Sequence, residues 1–245
     1  MHIHVTDNPE QLGRQAAEHC ENIIRKAIEE KGSARIVLST GASQFDTIKH
    51  LVERDLPWSR VEMFHLDEYI GLPASHPASF RKYLQERFVG HVTLLRAHFV
   101  NGEGDVASHV RELSSAIAAA PIDLGLIGIG ENAHIAFNDP PADFVRDDPY
   151  LEVDLNEDCK RQQVREGWFR ALADVPKQAI TMSVKQILKC RTIISCVPYP
   201  VKADAILRTL TQDVTPQVPA TILKTHADWS LYLDKDSAAQ VFPLS

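Results

Sequence analysis

Arg35-Ile36-Val37-Leu38-Ser39 runs directly into Thr40-Gly41-Ala42-Ser43, and Phe45, Ile48, Leu51 and Val52 follow at helical spacing. A short apolar run predicts a buried strand, the small residues after it a tight turn, and the spacing one face of a helix. Strand, turn and helix together open a βα unit. The alternation continues with a strand at Val61-Glu62-Met63-Phe64-His65-Leu66, a loop from Gly71 to Pro77, and helical patterns over 78–89 and 106–119. Asp123-Leu124-Gly125-Leu126-Ile127-Gly128-Ile129 is then almost continuously apolar. Such runs, separated by helices, belong to parallel sheets covered on both faces.

Outward from this centre, Asp7-Asn8-Pro9-Glu10 supplies a cap, a proline and an early acid for a first helix. Leu12, Ala16, Cys20, Ile23 and Ala27 mark its face, and Lys31-Gly32 ends it. Residues 179–184, 192–197 and 229–233 predict three further strands, and Val201 to Leu207 another helix. The expected fold is α/β with a mostly parallel central sheet.

With 245 residues, 44% of them hydrophobic, the chain can bury a sizeable core as one large α/β domain or two small ones. A formal charge of −7 without any dense Lys/Arg run argues against nucleic acid or an anionic membrane as partner. An anionic ligand must then be met locally. No segment approaches the roughly 18 to 20 continuous apolar residues of a membrane span, and MHIHVTDNPEQ lacks the apolar core of a signal peptide. A cytoplasmic location is expected. Cys20, Cys159, Cys190 and Cys196 form no C-x-x-C pair, so they read as packing thiols rather than a disulfide framework or a zinc site.

In open α/β sheets ligands bind beyond the carboxyl ends of the strands, where turns present free amides and helix N-termini. Thr40-Gly41-Ala42-Ser43 there fits a phosphate cradle, and fits an ordinary tight turn as well. Asp67 and Glu68 follow the next strand, and alternation lets only one of them face the crevice; Asp67 is assigned inward as a general base and Glu68 to a structural bond. The alternative is a solvated acid pair. After the third strand, His134 stands among apolar neighbours with Glu131 and Asp139 close in sequence, an arrangement for acid/base work near neutral pH or for a satisfied core histidine. No second histidine or cysteine lies at metal-ligand spacing. Lys202, Arg161 and Arg165 are the cations available for a phosphate, Arg161 ranking ahead of Arg165, and each could equally be a surface residue.

LSTGAS, FHLDEYIGLPASHPASF, GIGENAHIAFNDPP, VPKQAITMSV and VKADAI occur in the order and at roughly the spacing seen in glucosamine-6-phosphate deaminase/isomerases, and they cover most of the chain. By that resemblance residues 1–245 form a single three-layer Rossmann-like domain, shared with 6-phosphogluconolactonase, that needs no cofactor and no metal. The implied reaction turns an aldose 2-amino-2-deoxy-6-phosphate into a ketose 6-phosphate and ammonia. Asp67 matches the base between C2 and C1, and His134 the group that opens the sugar ring. Asp139 and Asn132 match the partners of the histidine, Thr40, Gly41, Ala42 and Ser43 the phosphate loop, and Lys202 the phosphate lysine. The implied partner is a small sugar phosphate. Some relatives are hexamers, which leaves room for a homo-oligomer, but their allosteric site has no match here.

Four positions depart from the family pattern: Gln44 for a proline, Ala133 for a glycine, Asp139 for a glutamate, and Asn132 where some members carry an acid. The Cβ of Ala133 excludes conformations that only glycine tolerates, and the shorter Asp139 is expected to reach His134 through water. The related reading, a lactonase on the same scaffold, would show Thr-Ala-Ser after the histidine and no acid at 139. A regulator on this fold would need a helix-turn-helix module for which the chain has no room.

Overall fold

Helix α1 (Pro9–Lys31) begins where Asn8 accepts a hydrogen bond from the Gln11 amide and stops at Gly32, whose φ of 84° returns its N–H to the Ile28 carbonyl. The computed structural model describes residues 1–242. Ten strands follow one another among the described residues: β1 (His2–Thr6), β2 (Ala34–Leu38), β3 (Val61–His65), β4 (Asp67–Tyr69), β5 (Arg96–His98), β6 (Leu124–Leu126), β7 (Tyr150–Asp154), β8 (Gln178–Met182), β9 (Thr192–Val197) and β10 (Trp229–Asp234). The remaining helices are α2 (Phe45–Val52), α3 (Phe80–Arg87), α4 (Val106–Ala118), α5 (Glu157–Arg165), α6 (Val184–Leu188), α7 (Ala203–Thr211) and α8 (Lys235–Ala238).

Seven strands form one sheet in the order β1-β10-β9-β6-β2-β3-β5, and every neighbouring pair is parallel. Every residue of β2, β9 and β10 is buried, as the apolar runs require when both faces are covered. Alternate side chains feed two cores. Ile36 and Leu38 pack with α1, α2 and α3, whereas Val37 packs on the other face with α4, α6 and α7. Three layers result.

The run 179–184, read as one more strand of the same kind, lies elsewhere. As β8 it pairs antiparallel with β4 and β7 in a separate three-stranded sheet. Leu66 is the junction: its N–H donates to Leu38 of β2 and its carbonyl accepts from Met182 of β8. One residue thus hands the chain from the main sheet to the small one, and the next is Asp67. The apolar run 123–129 is a strand only over Leu124–Leu126, so Ile127 onward is free to build a loop at the carboxyl rim.

Candidate active site

A cavity of about 210 Å³ opens at that rim, where the segments after β2, β3, β6 and β9 converge with α5. The first wall is Thr40 to Ser43. Gly41 holds φ at 102°, which favours glycine, and so turns the chain into the 3₁₀ turn Ala42–Gln44 that leads into α2. Among the described residues nothing takes up the amides of Gly41, Ala42 and Ser43. Ser39 Oγ accepts from the Gly128 amide at 3.2 Å, joining this turn to the loop after β6. Gln44, at the proline position, is fully buried and donates to the Cys196 carbonyl.

Lys202 supplies the charge. It sits at the end of a 3₁₀ turn, Pro200–Lys202, is 8% exposed, and lines the cavity. Among the described residues its ammonium has no salt bridge or hydrogen bond, and burial lowers its pKa. A buried cation and free backbone amides lining one cavity are groups that together can hold an anion.

Asp67 and Glu68 separate as alternation demands. Glu68 is fully buried and accepts from Ser79 Oγ at 2.7 Å and from the amides of Tyr69, Phe80 and Arg81 at 2.9, 3.2 and 2.9 Å, anchoring the start of α3. Asp67 turns to the cavity, 6% exposed, with no donor among the described residues. Burial, and then the Glu68 charge, push its carboxyl up to about 8.

His134 lies across Gly130, where any Cβ would overlap the ring. Its Nδ1–H donates to Asn132 Oδ1 at 2.6 Å, and its own amide donates to the same oxygen at 3.1 Å. Two donors on one oxygen fix the orientation of the Asn132 amide and the histidine tautomer, leaving the Nε2 lone pair unclaimed. Asp139 Oδ1 stands 3.4 Å from Nδ1 and 3.5 Å from Asn132 Nδ2, beside the histidine without sharing its Nδ1 hydrogen, which goes to Asn132. Burial lowers the His134 pKa more than Asp139 raises it, which keeps the ring neutral. Glu131, the other acid near His134 in sequence, turns away to Arg165.

The loop is clamped in strained backbone. Ala133 adopts φ of 67° and Ala136 φ of 52°. The left-handed region is open to alanine at a cost of about 1–2 kcal/mol, so the Cβ at 133 is accommodated rather than prohibitive. The Ala133 carbonyl is held by the Ala220 amide, and Asn138 donates to the carbonyls of Ile135 and Met182. Across the cavity Tyr199 has φ of 84° and ψ of 145°, a region nearly exclusive to glycine, and its N–H is gripped by both oxygens of buried Asp234 at 3.2 and 3.1 Å. Such backbone gathers at functional sites because surrounding bonds over-determine it.

Arg161 does not reach this cavity. It lies on the solvent face of α5, paired with Asp158 at 3.0 Å, because the inward face of that helix carries Cys159, Gln162 and Gln163. Gln162, Gln163, Glu166, Trp168 and Tyr199 line the cavity, and sequence reasoning passed over all five. Among the described residues no group of three or more His, Cys, Asp or Glu is placed to hold a metal ion, and no helix is long and apolar enough to cross a membrane. All four cysteines are free and buried.

A family described as glucosamine-6-phosphate isomerases/6-phosphogluconolactonase matches residues 7–231. A glucosamine-6-phosphate deaminase of Thermoanaerobacter pseudethanolicus is 33% identical over 249 residues, covering 98% of this chain and 95% of the relative. One from Staphylococcus epidermidis is 36% identical over 232 residues, covering 89% and 91%. Among solved structures, a monomeric glucosamine-6-phosphate deaminase superposes with a TM-score of 0.89 at 28% identity over 98% of this chain and all of that one. A 6-phosphogluconolactonase from Shewanella baltica gives 0.79 at 17% identity over 96% and 97%, a likeness of fold.

Proposed function

The chain belongs to the glucosamine-6-phosphate isomerase/6-phosphogluconolactonase family, and from that premise we propose that all 245 residues form one cytoplasmic deaminase domain acting on glucosamine 6-phosphate, with fructose 6-phosphate and ammonia as products. The observation that carries this reading is Asp67: a buried carboxyl with no donor among the described residues, raised by burial and the Glu68 charge to about 8, in the same cavity as a lysine that has no ion partner among those residues and a neutral histidine. A base of that kind suits removal of a proton from carbon.

The phosphate is held by the amides of Gly41, Ala42 and Ser43, the hydroxyls of Thr40 and Ser43, and Lys202. His134, through the Nε2 lone pair that Asn132 and Asp139 leave free, takes the proton of the anomeric hydroxyl as the ring opens and returns it to the ring oxygen. Asp67 then removes the C2 proton. The C–H pair becomes a C1=C2 double bond, and the carbonyl π pair moves onto the C1 oxygen. The C1 oxygen takes a proton from the substrate ammonium, which frees the nitrogen lone pair; when Asp67 returns its proton at C1, that pair forms a C2=N iminium, and addition of water gives the C2 ketone and ammonia, with one proton passing to solvent. At about 8, Asp67 of the free site is mostly protonated at pH 7; the cationic amine of the substrate, arriving beside it, favours the ionised form.

The purified protein, given glucosamine 6-phosphate in deuterated water, should release ammonia and ketose phosphate in equal amounts with solvent deuterium in the product. Hydrolysis of 6-phosphogluconolactone without any release of ammonia from a hexosamine 6-phosphate would overturn the reading.

A further inference from the structure

Tyr69 is fully buried, and among the described residues its hydroxyl has one hydrogen-bond partner, Gln163 Oε1 at 2.7 Å. A buried phenol must donate its hydrogen to an acceptor, so this bond fixes the amide with Oε1 toward Tyr69 and Nε2 away from it. Gln163 is 6% exposed, lies in the cavity wall, and its Nε2 has no acceptor among the described residues. Two N–H donors are therefore held at the cavity with nothing to receive them. The neighbouring Gln162 differs, because its Nε2 is already bound to Glu166 Oε1 at 2.7 Å. Asp67 and Tyr69 are alternate residues of β4, so both side chains leave the strand on one side. The amide that Tyr69 orients thus shares a side of the strand with the Asp67 carboxyl.

Building on the deaminase reading above, we propose that Gln163 is a further catalytic residue, donating from Nε2 to the C1 oxygen of the open-chain substrate while Asp67 removes the C2 proton. In that step negative charge gathers on the C1 oxygen, which then needs donors and no acceptor. Nε2 offers donors alone. A sugar hydroxyl in the same place would bring a hydrogen for which the amide nitrogen has no acceptor. The amide is neutral, so burying it costs far less than burying a cation, and its orientation is set before the substrate arrives, as electrostatic stabilisation of a transition state requires.

The test compares wild type with Gln163→Met and Gln163→Glu, and with Tyr69→Phe. The glutamate variant has the size of the amide and an acceptor for Tyr69, but no donors, so it serves if the methionine variant folds poorly. Two readouts are needed: kcat on glucosamine 6-phosphate, and Kd for 2-amino-2-deoxyglucitol 6-phosphate, an alcohol at C1 that cannot develop the charge. Both Gln163 variants should lose about 10²–10³-fold in kcat, the effect of removing one oxyanion donor. Alditol affinity in the methionine variant should stay within about threefold, and Tyr69→Phe, which frees the amide to rotate, should lose only about tenfold in kcat. Parallel losses in kcat and alditol affinity would assign Gln163 to a hydroxyl and reject the proposal. So would near-normal turnover in the Gln163 variants, or equal losses in Tyr69→Phe and Gln163→Met. A wild type that releases no ammonia from hexosamine 6-phosphates rejects the deaminase reading itself, whereas an active wild type with an unimpaired Gln163→Met rejects this role alone.

Discussion

Replacing Asp67 with Asn should stabilise the protein, by an amount that grows with pH. The carboxyl is raised from an ordinary value of 3.8 to about 8, first by burial and then by the Glu68 charge beside it. Below 3.8 the folded and unfolded chains both hold the proton, so the acid costs nothing by this route. Above it the unfolded chain loses a proton that the folded chain keeps, and stability falls as pH rises until the folded carboxyl ionises near 8. The slope approaches 1.4 kcal/mol per pH unit, so between pH 5 and pH 8 the wild type should lose about 3.5 kcal/mol relative to the amide, which cannot ionise. That is a large share of the roughly 5–15 kcal/mol that holds a domain together. Urea unfolding of both proteins at pH 5, 6, 7 and 8 measures the difference directly. A gap that stays constant across the series, or a wild type that gains on the variant as pH rises, would refute the reasoning, because it would mean that the folded carboxyl is solvated or paired. The same substitution should abolish turnover while leaving substrate affinity within a few-fold, since the amide keeps the shape but cannot accept the C2 proton.

Lys202→Met should weaken binding of the 6-phosphate by roughly 1.5–3 kcal/mol and leave an unphosphorylated hexosamine unaffected; equal losses for the two ligands by calorimetry would make Lys202 structural. His134→Gln should be slow on the cyclic substrate and recover much of its rate on an analogue that cannot cyclise, whereas equal rate losses would reject ring opening by His134. Glu68→Gln keeps one acceptor oxygen but turns the other into an NH2 that faces donors, either the Tyr69 and Phe80 amides or Ser79 Oγ and the Arg81 amide, and it removes the charge beside Arg81 in a fully buried setting, so it should lower stability by about 3–5 kcal/mol; a loss under about 1 kcal/mol by urea unfolding would contradict that account.

The inner strands β2, β3, β6 and β9 of the main sheet, and β10, were legible because they are runs of mostly buried apolar residues and Gly41 marks the turn out of β2. The small sheet was not. Residues 179–184 and 192–197 look alike as apolar runs, and nothing local says that one pairs antiparallel with β4 and β7 while the other lies parallel between β6 and β10. That choice is made at Leu66, by long-range bonds to Leu38 and Met182. Strands β1, β5 and β7 escaped notice because their polar residues interrupt any apolar run. In the site, the assignment of Asp67 inward and Glu68 away followed from strand alternation and agrees with the observed geometry. Arg161 was misplaced because α5 is too polar to announce its inner face. Cys159, Gln162, Gln163 and Glu166 do stand at helical spacing, yet glutamine and glutamate at that spacing read as a solvated surface. Glu131 was set beside His134 by proximity in sequence, whereas the amide of Asn132 takes that place and Glu131 goes to Arg165.

The edge pairing of the main sheet sets an order in time. His2 lies beside Ser230 and Thr6 beside Asp234, so the first strand of the chain has no partner until almost the last has been made. At roughly 5–20 residues per second, synthesis leaves β1 waiting for some tens of seconds while the central strands assemble. During that interval the open flank of the sheet is β9, whose six residues are all buried in the finished protein. A nascent chain stalled before Trp229 would therefore expose an apolar edge and trail a loose strand, two features that invite pairing with another molecule. Of all the segments of the chain, β10 is the one whose arrival closes the fold.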